Sequence, residues 1–141
     1  METRNVREFL DYYERVRQRT LKVIACIPPE KYDWSYREGK FSLADIIRHL
    51  GAIERYMYGE NVQQKPSRYP GHGKELADGP ENVREFFKRV HAESMEIFGL
   101  SLQSQRKIAE RTTQTENNLR EISDKLNALI SVVDGMIRGK Q

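Results

Sequence analysis

One cysteine, one tryptophan and three histidines in 141 residues are few enough to exclude whole classes of protein. Cys26 alone cannot build an internal disulfide framework and suits a reducing compartment; on a helix, a single small thiol reads as packing rather than as a nucleophile. No run approaches the ~20 consecutive apolar residues of a membrane span. The opening residues, METRNVREFL, are charged from the second position, so no secretory leader is read and the expected place is the cytoplasm. A dominant charge is lacking too, since 24 Lys and Arg stand against 21 Asp and Glu for a net +3. With no basic motif interleaved with aromatics, that balance argues against nucleic acid as a partner. Period-2 alternation is also absent, and the remaining fold class is all-α.

What is present is helical periodicity, in four segments expected near residues 5–27, 42–59, 80–98 and 102–138. Asn5 and Glu8 have the spacing of a helix start, and Pro28-Pro29 ends the first segment by removing an amide donor. The linker EKYDWSYREGKF carries Trp34, read as a plug for one end of a bundle. Ser42 and Asp45 have capping-box spacing, with Phe41 and Ile46 placed as a hydrophobic staple. On the helix they open, Leu43, Ile46, Ile47, Leu50, Ile53 and Met57 share an arc, and His49 lies just outside it. A long polar connection broken by Pro66, Pro70, Gly71 and Gly73 leads to Gly79-Pro80, a helix start, and Gly99 is read as the stop of that third helix. The expected core is led by Phe9, Tyr13, Ile24, Ile46, Leu50, Ile53, Phe86, Phe87 and Val90.

The last segment differs in kind. Ile108, Thr112, Thr115, Leu119, Ile122, Leu126, Leu129, Val133 and Met136 alternate four- and three-residue steps, a heptad register without aromatics. A lone helix could not leave such a stripe in water, so a homo-oligomer through residues 112–137 is expected.

Residues 1–102, with the block IPPEKYDWSYREGKFSLADIIRHLGAIERYM, resemble the DinB/YfiT-like family of bacterial four-helix bundles. The resemblance implies a divalent metal, zinc or nickel, held by three histidines. One of them, on the second helix, matches His49; the other two would stand four apart on a fourth helix. It also implies, for some members, thiol transferase or isomerase chemistry on small thiols. This chain has no His-x-x-x-His after His91, so His72 and His91 are the only histidines left to complete a site, and a catalytic metal needs three protein ligands. Two readings follow, with residues 1–102 as a DinB-like bundle and 103–141 as a long helix closing it or forming a coiled coil. The preferred one is a non-catalytic, oligomerising bundle with an incomplete metal site and no cofactor. The alternative is a metal-dependent enzyme acting on a small thiol, with His49 as ligand.

Overall fold

Asn5 begins the first helix because its side-chain oxygen accepts the Glu8 amide at 2.9 Å, a donor that the first helical turn cannot otherwise pair. The structure, a computed structural model, describes residues 5–139. Helix α1 is Val6–Ala25, followed by a 3-10 turn at Pro29–Lys31. The capping box holds: the Asp45 amide donates to Ser42 Oγ at 3.0 Å and the Ser42 amide to Asp45 Oδ2 at 2.9 Å, opening α2, Leu43–Ile53. The helix continues as a π-turn, Glu54–Tyr58, and a short α3, Gly59–Val62. Gly79, at φ +86°, leads into α4, Pro80–Gly139. Among the described residues there is no strand.

Two expectations about the elements need correction. The second segment is not one α-helix, because at Glu54 the bonding lengthens by one residue and the Gly59 amide reaches the Glu54 carbonyl. Nor does Gly99 end the third helix. It does not have the positive φ that a glycine cap uses, and Leu100, Ser101 and Leu102 bring neither proline nor turn. An interior glycine costs about 1 kcal/mol, too little to break a helix by itself.

The chain divides into one unit ending at Leu102 and a second beginning at Gln103. In the first, Ile24, Tyr32, Ala44, Ile47, Val83 and Phe87 form one buried cluster. Ala52, Phe86 and Val90 form another, partly covered by Tyr69, Leu76 and Ala77 from the long connection. The core expectation holds for Ile24, Phe86, Phe87 and Val90; Tyr13 and Ile53 are half-buried. It fails for Phe9, Ile46 and Leu50, which are 46%, 43% and 44% exposed. For Ile46 and Leu50 the reason lies in helix α2, which turns its small residues inward. Ala44, Gly51 and Ala52 are buried, and a Cβ added at Gly51 would lie 2.9 Å from Val90 Cγ2 and 3.2 Å from Phe86 Cε1. Close approach of α2 and α4 therefore wins over burial of the larger Leu50 edge. Trp34 is likewise no plug, being half exposed, and the nearly buried Tyr32 ring joins the core instead.

Arg48, almost fully buried, clasps the long connection. Its Nε donates to the His72 carbonyl at 2.7 Å, Nη1 to that of Ala77 at 2.9 Å, and Nη2 to Asp45 Oδ1 at 2.7 Å. Glu60, also buried, accepts from Arg55 at 2.8 Å and Arg68 at 3.0 Å, tying the far end of the same connection to α3.

In the second unit, every described residue is exposed, including the whole heptad stripe. Among the described residues no helix is long and apolar enough to cross a membrane.

Two substitutions test this packing. Phe87→Ala should cost about 3–5 kcal/mol as a buried aromatic truncation. Gly51→Ala should also destabilise, by about 1–2 kcal/mol, although alanine favours helix, because the new methyl meets Val90. Denaturant unfolding measures both, and a neutral Gly51→Ala would show that α2 and α4 are not in this close contact.

Candidate functional site

Charged residues converge where three elements meet, and helical spacing explains how. Tyr13 and Arg17 stand four apart on one face of α1, Phe87 and His91 four apart on α4, and Glu54 opens the π-turn. The Tyr13 hydroxyl donates to Glu54 Oε2 at 2.6 Å, and Arg17 Nη1 lies 3.6 Å from the same oxygen. Arg17 also donates from Nη2 to the Phe87 carbonyl at 2.7 Å, and its guanidinium lies 3.7 Å from the Phe87 ring centre. His91 completes the set: Nδ1 donates to both Glu54 oxygens at 3.1 Å, and Nε2 to Glu14 Oε2 at 3.0 Å.

Carboxylates on both ring nitrogens favour the doubly protonated imidazole. The hydrogen bond to Glu54 accordingly raises the His91 pKa, against the opposing pull of burial. Burial alone would raise Glu54, but hydrogen bonds from His91 and Tyr13 with the charges of His91 and Arg17 hold it below the usual carboxylate range. Burial, then the bond to Glu54, pushes the Tyr13 phenol up. The Gln18 amide first, and His91 after it, lower Glu14. A groove beside this network is lined by Tyr13, Val16, Arg17, Thr20, Leu50, Ile53, Glu54, Tyr58 and Phe87.

Of the three histidines singled out from sequence, the structure brings two together. His49, half-buried on α2, shares a hydrogen bond through Nδ1 with the Tyr69 hydroxyl. His72 lies with its ring centre 6.0 Å from that of His49 and 4.1 Å from that of Phe41, and its Nδ1 is 3.5 Å from the Tyr69 hydroxyl. His91 belongs to the other cluster. Its two carboxylates sit on opposite ring nitrogens, so the three groups face one another rather than a common point. Among the described residues no group of three or more His, Cys, Asp or Glu side chains could hold a metal ion. Among the described residues, then, the donors do not make the three-ligand site that the resemblance implies.

Sequence reasoning missed the carboxylates and Arg17. The signal available was Glu54 standing four residues after Leu50 on an otherwise apolar face, a charge where the pattern asks for a hydrophobe.

Comparison with known families matches residues 12–98 to the DinB superfamily. Neither the curated proteins nor the solved structures provide a match.

The network carries a pH signature. His91, raised above its ordinary 6.5, contributes stability that is complete below about pH 6.5 and is lost as pH rises through the folded value. Glu54, lowered from its ordinary 4.5, contributes stability present above about pH 4.5 and lost as pH falls through its folded value. The gap in thermal unfolding midpoint between wild type and His91→Gln should be widest between these limits and narrow on both sides. A gap independent of pH from 3.5 to 9 would mean that His91 is not charged in this pair.

Proposed function

Since the chain belongs to the DinB superfamily, we propose that it is a bundle of that fold whose work is assembly rather than metal chemistry, through a homo-oligomer joined by residues 112–137. The observation that carries this reading is the stripe itself. From Ile108 to Met136 its large apolar members are 45–63% exposed, an apolar ridge far longer than scattered surface hydrophobes produce. A second copy covers it without requiring any other partner. The donor set supports the same reading, since His49 and His72 meet a phenol and His91 is held between carboxylates. We place the protein in a reducing compartment, the cytoplasm, where the exposed thiol of Cys26 persists without a disulfide partner.

The second reading is a metal-dependent enzyme acting on a small thiol. It draws on the approach of His49 to His72 and needs a third donor from outside the described residues.

Light scattering of the full chain at micromolar concentration should return a multiple of the 16.6 kDa chain mass. Ile122→Asp with Leu129→Asp should return monomers with the helical content of the first unit intact; a monomeric wild type would overturn the assembly reading. Calorimetric titration with zinc and with nickel should show weak binding, unchanged in His49→Ala. Tight stoichiometric binding lost in that variant would restore the enzyme reading.

A further inference from the structure

The flanks of the heptad stripe say how the copies meet; this step rests on the assembly reading above. The register puts Leu119, Leu126 and Val133 at position a and Ile122, Leu129 and Met136 at d. Its flanks change character along the helix. Early on they are charged, with Arg111 at g and Glu116 at e; later they are apolar, with Ile130 and Ile137 at e and Val132 at g. An antiparallel pairing would set the apolar flanks of one strand against the polar flanks of the other. A parallel, in-register pairing sets Arg111 against Glu116, Asn118 against Ser123 and Val132 against Ile137, with Lys125 against Ile130 the one unlike pair.

The charges point the same way. Within the helix, Glu121 pairs with Lys125 at 2.8 Å and Asp134 with Arg138 at 3.0 Å, each four residues apart. Arg111 and Glu116 have no ion-pair partner among the described residues, and five residues separate them. Five is the offset at which a g residue of one strand meets an e residue of its parallel neighbour. The seam threonines do not obstruct burial, because the hydroxyls of Thr112 and Thr115 already donate to the carbonyls of Ile108 and Arg111 at 2.9 Å.

Strand number follows from two further features. Leu at a followed by Ile at d, as at Leu119 and Ile122, favours more than two strands. Apolar residues on both flanks need a neighbour on each side, which a two-stranded seam does not supply. We infer that residues 111–137 of three or four copies of this chain form a parallel, in-register coiled coil, with Arg111 of each strand facing Glu116 of the next.

Three measurements on the full chain test this. Light scattering should return three or four times the chain mass. In a Cys26→Ser background, Leu129→Cys should form disulfide-linked dimers under mild oxidation, because parallel register brings the same d position together. Arg111→Glu should require roughly tenfold or more higher concentration for assembly, and Arg111→Glu with Glu116→Arg should recover it. A particle of two copies, absence of the Leu129→Cys crosslink, or no effect of the charge reversal would overturn the inference while leaving assembly standing. So would loss of assembly in Leu50→Asp, which would mean that the stripe docks on the exposed α1–α2 face instead. A monomeric wild type would overturn the assembly reading and this inference together.

Discussion

Glu54 is a carboxylate at 2% exposure, and the first unit is organised around keeping it there. A bare charge so buried would be strongly destabilising, and it is tolerated only where opposite charge and hydrogen bonds replace the lost water. Arg17, Tyr13 and His91 do so from α1 and α4, and each is thereby fixed in its rotation. With His91 turned toward Glu54, Phe87 four residues before it packs beneath the Arg17 guanidinium. Burial of one acid thus ties the facing sides of α1, α4 and the π-turn to one another.

Arg48 plays the matching part for the long connection. Loops carry carbonyls that need donors, and a buried guanidinium with three hydrogen bonds supplies them at two points, His72 and Ala77. That anchorage lets Tyr69, Leu76 and Ala77 lie over the second core cluster, and the same clasp brings His72 beside His49. The proximity of the two imidazoles is therefore a consequence of how the loop is held, and both reach the hydroxyl of one tyrosine, Tyr69.

The elements legible in the sequence were those written locally. Asn5, Ser42 with Asp45, and Gly79-Pro80 mark their helix starts within a few residues, and the period of Val83, Phe86, Phe87 and Val90 identifies the buried face of α4. What was not legible depends on distance along the chain. Glu54 meets partners 37 and 41 residues away, and His91 meets Glu14 across 77, so no window on either side reveals them. The α2 face was misjudged for a different reason: counting large hydrophobes favours Ile46 and Leu50, whereas the contact with α4 is made through Ala44, Gly51 and Ala52, residues valuable for being small. The three histidines stood out in the sequence as chemistry-bearing residues; their surroundings did not, because hydrogen-bond partners such as Tyr69 and Glu14 carry no mark of the role.

The π-turn at Glu54–Tyr58 takes in one residue more than an α-turn holds, and the helix on either side keeps its own work. Upstream, Arg48 meets the loop carbonyls and Gly51 meets Val90; downstream, Glu60 meets Arg55 and Arg68. Loss of a single residue between Arg55 and Tyr58 would let the turn relax into ordinary α geometry with the downstream phase nearly kept, whereas the same loss from the α-helical Leu43–Ile53 would swing every later residue by about 100°. The turn therefore accepts a change of length that the α-helical stretch before it does not. A deletion at Leu43–Ile53 would unfasten the connection that α3 begins, and one inside the turn would leave Glu60 facing its guanidiniums.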